Sequence, residues 1–237
     1  RRWLRLRGMT KVTAQMSISL DGCYAGPMDP RDPQDAAGWM QGPEAPGFFG
    51  VTRWVTDAAG WRERQGYAGG ERSINSDIVE ETFAAAGAYV MGRCMFDGGE
   101  IPWGDARPFR APVFVVAHRL RATLQREGGT SFTFVTGGIE QAVAMAREAA
   151  GGKDVAVAGG GTVLRQVIGA GLLEQLELHI APVVPDRRGG LHVLPRLLGD
   201  APASTTSRAG PCASCRTWVG GDPNAATNIR FRTTYQN

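Results

Sequence analysis

Lysine is nearly absent from this 237-residue chain: Lys11 and Lys153 are the only two among 26 basic side chains, and the rest are arginine. The arginine excess reads as the codon bias of a GC-rich coding sequence rather than as a binding surface. Against 23 acidic side chains it leaves a net charge of +3, too small for a dedicated nucleic-acid binder. Long apolar runs are missing too. Val113–Ala117 is among the longest, far short of the roughly 18 residues of a membrane span, so an integral membrane protein is excluded. Cysteine is scarce: four residues in this length do not make a disulfide scaffold. Cys212 and Cys215 form a CxxC, but no second pair completes a zinc site and the flanks are not those of a redox helix. Cys23 and Cys94 sit near apolar stretches, where a small buried thiol is the default. No repeat or heptad is present. A hydrophobic fraction of 43% argues against a wholly disordered chain.

Residues 1–8 are basic but lead into a polar, strand-like segment, so they read as an N-terminal extension before Met9 and not as a secretory signal. A cytoplasmic location is the expectation. Residues 9–237 read as a single domain with a long loop over 26–75, rich in Gly, Pro and Trp, and an atypical segment over 201–215. A strand is expected over 11–20, ending at the turn signal Asp21-Gly22. A helix is expected from Asn75-Ser76-Asp77 to about Ala86, with capping-box spacing from Asp77 to Glu80 and a stop at Gly87. Strands over 88–91, 113–117, 132–135, 155–158 and 175–181 then alternate with helices from Gly92-Arg93, over 139–150 and over 162–170. That alternation predicts an α/β fold with a largely parallel sheet. Two late strands, 216–219 and 228–235, suit a closing antiparallel hairpin.

Three strand ends carry phosphate-friendly chemistry. Val155-Ala-Val-Ala158 runs into Gly159-Gly160-Gly161 and then Thr162, where glycines admit a ligand to the backbone and a helix start offers N–H groups. A plain tight turn would have the same sequence. Met91-Gly92-Arg93 is a second junction, with an arginine able to grip phosphate or simply to cover a turn. The third follows Val113–Ala117 and delivers His118, Arg119 and Arg121, or a solvated loop. Ligands of open α/β sheets sit at such carboxyl ends, and a dinucleotide suits the three together.

Ser17-Ile-Ser-Leu-Asp21-Gly22, Met91-Gly92-Arg93, Val157-Ala-Gly-Gly-Gly161 and Ala170-Gly-Leu-Leu-Glu-Gln-Leu-Glu-Leu178 together resemble the RibD C-terminal, dihydrofolate-reductase-like superfamily over about residues 9–200. The resemblance is closest to its stand-alone bacterial reductase-like members; the H-x-E and P-C-x-x-C pair of a deaminase half is missing. It implies a dihydrofolate-reductase-like α/β fold: a mostly parallel central sheet, helices on both faces and a C-terminal antiparallel hairpin. It implies NADPH as cofactor, hydride transfer to a small pterin- or aminopyrimidine-like substrate, and a homodimer. By the same resemblance Gly92 and Arg93 take the phosphate side of the cofactor. His118, Arg119 and Arg121 lie near the adenosine 2′-phosphate, Gly159, Gly160, Gly161 and Thr162 hold the pyrophosphate, and Tyr24 and Ala25 flank the nicotinamide. Asp77 is the nearest match to the helix carboxylate that helps protonate the substrate, and its residue type suits a helix cap equally. No metal site is expected.

The chain departs from the family in three places. Ala158 stands where the riboflavin reductases place Glu, Val184-Pro-Asp-Arg-Arg-Gly-Gly190 replaces a Gly-rich turn, and residues 201–215 look foreign. A nucleotide-binding module of the same fold without turnover is therefore the alternative. Trp39, Trp54, Trp61 and Trp103 suit either a pocket for flat heterocycles or a core. His179 reads as packing within a strand.

Overall fold

Strands whose successive side chains point to opposite faces divide this molecule into two cores, one on each side of a single sheet. The computed structural model describes residues 10–24, 46–104, 109–185, 191–193, 216–218 and 227–232. In chain order the elements are β1 (Val12–Ile18), α1 (Pro46–Thr56), α2 (Ala59–Arg64), α3 (Ile74–Ala85), β2 (Ala86–Gly92), α4 (Arg93–Trp103), β3 (Pro112–Val116) and β4 (Leu124–Gln125). There follow β5 (Ser131–Val135), α5 (Gly138–Ala149), β6 (Asp154–Gly159), α6 (Gly161–Gly169), β7 (Gln175–Ile180), β8 (Val183–Pro185), β9 (Leu191–Val193), β10 (Arg216–Trp218) and β11 (Thr227–Arg232).

The main sheet has the order β10-β11-β7-β1-β6-β2-β3-β5-β4, and β8 and β9 form a separate ribbon. From β7 to β5 every pairing is parallel. The β4 edge and the β10–β11 hairpin are antiparallel. The expected architecture, closing hairpin included, is the one observed.

On the first face Val12, Ala14, Val90, Phe114, Val155 and Val157 pack under α5 and α6, which contribute Ala142, Val143, Ala146, Val163 and Val167. On the second face Tyr89, Met91, Val113, Val115, Phe132 and Phe134 pack under α4. There Phe96 is 1% exposed and meets Phe132 and Phe134 edge-on at 5.1 and 5.0 Å. Burying one such ring contributes about 1.5–3 kcal/mol. A third cluster, Trp54, Ala58 and Val79, joins α1 to α3.

Three expectations need correction. The stretch read as a loop over 26–75 contains helices α1 and α2, and α3 begins at Ile74, so only part of it is irregular. Its aromatic and small residues gave no regular period, yet Trp54 and Ala58 are core residues, so tertiary burial sustains helices that local propensity did not announce. The capping box does not form: Ser73 is the N-cap of α3, without a side-chain cap bond, and Asp77 lies inside the first turn. Gly87 does not end the helix but lies in β2. A Cβ there would come 2.0 Å from the Ala150 carbonyl oxygen at the end of α5, so close approach of backbones requires the glycine.

Candidate functional site

The parallel strands β7, β1, β6, β2 and β3 bring their carboxyl ends to one rim of the sheet, with β6 inserted between β1 and β2. The chain leaves β6 through Gly159, whose φ is +124°, and a cis Gly159–Gly160 peptide, and enters α6 at Gly161. Gly160 is the N-cap, with no side-chain cap bond and no atom within 4 Å of the place a Cβ would take. Open space beside uncapped N–H groups at a helix start suits a phosphate. Thr162 is exposed in the same turn.

Tyr24 reaches this junction from the turn after β1. A Cβ on Gly161 would lie 2.4 Å from the Tyr24 ring, so glycine lets the phenol rest against the start of α6. The turn that presents Tyr24 is closed by Ser19, fully buried, whose hydroxyl donates to Asp21 and accepts the Cys23 backbone N–H at 2.9 Å. The Ser19 hydrogen bond holds the Asp21 carboxyl below its ordinary range, a structural role for both residues. Ala25 lies outside the described residues.

Gly92 ends β2 and caps α4, placing Arg93 in its first turn. The Arg93 Nε donates to both Asp97 oxygens at 2.6 and 2.8 Å, with its guanidinium 5.3 Å from the Phe134 ring centre. Arg121 makes a two-pronged contact to Glu100 at 2.8 and 2.5 Å and lies 5.5 Å from the Phe96 ring centre. That pairing lowers the Glu100 carboxyl and raises the Arg121 guanidinium. Both arginines thus flank one aromatic pair, each matched by a carboxylate of α4. His118 and Arg119, just past β3, are exposed.

On the second sheet face, β6 presents Ala156 and Ala158, half-buried although β6 is an interior strand. Val155 and Val157 on the opposite face are 0% and 3% exposed, so this strand is open on one side only. Phe83 of α3 and Met95 of α4 adjoin the same stretch. Next to it β1 carries Gln15 and Ser17, also half-buried. Gln15 donates to Thr82 of α3 at 2.7 Å, and Ser17 accepts the Trp54 indole N–H at 3.1 Å. Behind them, on β7, His179 (1% exposed) stacks against Trp54 at 4.3 Å, with Glu177 buried beside it. This half-open strip between α3 and α4 has an apolar floor and wall and a polar side, the makeup of a pocket for a flat, polar-edged molecule.

The structure brings Tyr24, Gly92 and the Gly159–Thr162 run to one rim, with Arg93 at the start of the adjoining helix. Asp77 is exposed. The buried face of α3 carries Asn75 (5% exposed) and Ser76 (2% exposed), which the sequence reading passed over. Ser76 accepts the Gly60 N–H at 2.9 Å, whereas the Asn75 amide oxygen is buried with no hydrogen-bond partner. An unmatched buried acceptor costs about 1–3 kcal/mol. Helical spacing from Val79 and Thr82 was the signal that could have found it. Among the candidate tryptophans, Trp54 and Trp61 pack in the α1–α3 cluster and Trp103 packs against Phe109, which is the core reading; Trp39 lies outside the described residues, as do Cys212, Cys215 and residues 186–190 and 201–215. Among the described residues no three His, Cys, Asp or Glu side chains gather as a metal site, and no helix is long and apolar enough to cross a membrane.

This is a groove at the carboxyl rim of a mostly parallel α/β sheet. The RibD C-terminal domain family model matches residues 10–185, and the chain belongs to that family. Among solved structures it is similar to a riboflavin biosynthesis protein from Shewanella sp. PV-4, at 15% identity and a TM-score of 0.54, covering 95% of this chain and all of the other. Weaker likenesses are to dihydrofolate reductase from Enterococcus faecalis (12%, TM-score 0.43, 93% of this chain and 94% of the other) and to RibD from Acinetobacter baumannii (13%, TM-score 0.46, 96% and 59%). No curated protein matches the chain.

Proposed function

We propose that this protein is an NADPH-dependent reductase that transfers a hydride to a small pterin- or aminopyrimidine-like heterocycle. One observation carries the reading: the open, uncapped Gly159–Thr162 junction sits on the same rim as Gly92 and Tyr24, in a chain of the RibD C-terminal domain family. Bound NADPH would supply the hydride. Gly160, Gly161 and Thr162 would hold its pyrophosphate through backbone N–H groups, and Tyr24 with Ala25 would flank the nicotinamide. Arg93, with Gly92, would lie on the phosphate side of the cofactor, and exposed Arg119 and His118, with Arg121, would reach a 2′-phosphate. The substrate would lie over Ala156 and Ala158. With Asp77 exposed, water in the strip beside Gln15 and Ser17 would deliver the proton to the reduced ring. A cytoplasmic homodimer acting on a small molecule, and not on nucleic acid or a membrane, completes this reading.

A fluorescence titration with NADPH and then NADH tests it. Saturable NADPH binding with weaker NADH binding is expected, and Arg119→Ala should weaken NADPH more than NADH. Absence of binding to either dinucleotide overturns the proposal. The resemblance supports a second reading, a nucleotide-binding module without turnover, because it sets Ala158 where the riboflavin reductases place Glu. It predicts normal NADPH binding with no NADPH oxidation across pterin and pyrimidine substrates.

A further inference from the structure

We propose that Glu100 sets the choice between dinucleotides with and without a phosphate on the adenosine ribose, by competing with that phosphate for the Arg121 guanidinium. The inference rests on the reductase reading for its ligand, and on the charge cluster of α4 for the residue.

Four charged side chains gather on one aromatic plate beyond the carboxyl ends of β2 and β3. Arg93 and Arg121 lie 6.0 and 5.5 Å from the Phe96 ring centre, and 5.3 and 5.7 Å from that of Phe134. Each guanidinium takes a carboxylate of α4. Arg93 Nε grips Asp97 one turn on, and Arg121 grips Glu100 with two nitrogens. Within this quartet the charges cancel, so two arginines near the rim add little positive field of their own. The four also act across the pairs. The Arg121 hydrogen bond is the main cause that lowers Glu100, with Arg126 and Arg93 adding to it, and Asp97 helps to raise Arg121.

The two pairs differ in how readily they open. The side chains of Arg93 and Asp97 are 29% and 10% exposed, those of Arg121 and Glu100 36% and 26%. Breaking the more buried pair strands a charge away from water, whereas water can take up both partners of the other. Glu100 and Arg121 are therefore the pair that an incoming anion can exchange. A phosphate monoester offers about two negative charges and three acceptor oxygens to the same planar fork. It must displace Glu100 to use that fork, and until then the like charges repel. A ribose hydroxyl meets neither obstacle and can donate to the carboxylate, as it does to the acidic residue of NAD sites. Glu100 thus narrows the preference for the phosphorylated dinucleotide, and a released Arg121 widens it.

The test titrates NADPH and NADH into the full chain and its variants, with 2′,5′-ADP and 5′-AMP as a matched pair lacking nicotinamide. Glu100→Gln should widen the NADPH-over-NADH affinity ratio by about fivefold or more, and the ratio of the two adenylates likewise. Adding Arg121→Gln to it should abolish that gain, whereas a mere loss of negative surface charge would keep it. The proposal is overturned if the ratios in Glu100→Gln stay within about twofold of native, or if the doubly substituted protein keeps the gain. Should Glu100→Gln not fold, Glu100→Ala is held to the same thresholds. Unmoved ratios alongside saturable NADPH binding would overturn this inference and leave the reductase reading standing. Shifted adenylate ratios with no NADPH oxidation over pterin- and pyrimidine-like substrates would do the reverse. Binding of none of the four nucleotides overturns both.

Discussion

Tyr89 offers a sharp test of how the second-face core is built. Its ring is 3% exposed and packs on Phe109 at 4.8 Å, yet its hydroxyl has no hydrogen-bond partner. Burial pushes the phenol up to about 12 from 10.0, and the nearby Arg64 guanidinium opposes this only in part. Tyr89→Phe keeps the ring and removes the unmatched hydroxyl, so stability near pH 8 should be unchanged or raised by up to about 1 kcal/mol. Between pH 10 and 12 the difference should grow. The unfolded phenol ionises there and the folded one does not, so the native protein loses stability as pH rises, by about 1.4 kcal/mol at pH 11 for a two-unit shift. The variant lacks this loss. Urea unfolding of both proteins at pH 8 and pH 11 measures it. A variant less stable by more than about 1 kcal/mol at pH 8, or a gap that does not widen with pH, refutes the account of an orphaned hydroxyl.

Three further outcomes follow from the packing. Gly87→Ala forces a methyl against the Ala150 carbonyl oxygen, and should lower stability by about 1–3 kcal/mol in urea unfolding. Trp54→Phe removes the indole bond to Ser17 and part of the stack on His179; a loss of about 1–2 kcal/mol is expected, read by thermal unfolding. Glu100→Gln addresses acid sensitivity. The Arg121 hydrogen bond depresses the Glu100 carboxyl in the folded state, so its contribution is present above about pH 4.5 and disappears as pH falls through the folded value. The variant should be less stable at pH 7 by under about 1 kcal/mol, because the pair is partly solvated, and the gap should close as pH falls through the depressed folded value.

The strands were legible because β-rich runs such as Val113–Val116 and Val155–Ala158 are bounded by Pro and Gly, and the Gly-rich exit from β6 marked the rim. Helices α1 and α2 were not, since Trp54 of α1 and Ala58, the residue before α2, are held by packing on α3, a contact no local period records. Gly87 misled for a similar reason: what it avoids, Ala150, lies 63 positions away. The Gly and Arg residues proposed for the site come from residue type and spacing. The burial pattern of α3, with Asn75 and Ser76 inside and Asp77 outside, was not legible, because packing against other elements sets it rather than residue type.

The central place of β1 has a consequence for how the chain reaches its native state. Val12 pairs with Val155, and Thr13 with Gln175, so both neighbours of the first strand arrive more than 140 residues later. During synthesis at about 5–20 residues per second, β1 waits roughly 7–30 seconds for a partner. Such distant parallel pairings make for a high contact order and slow closure. The polar side of β1, with Thr13, Gln15 and Ser17 alternating along it, keeps that waiting strand from being a continuous apolar edge, so residues that serve the finished groove also protect the nascent chain from sticking to others.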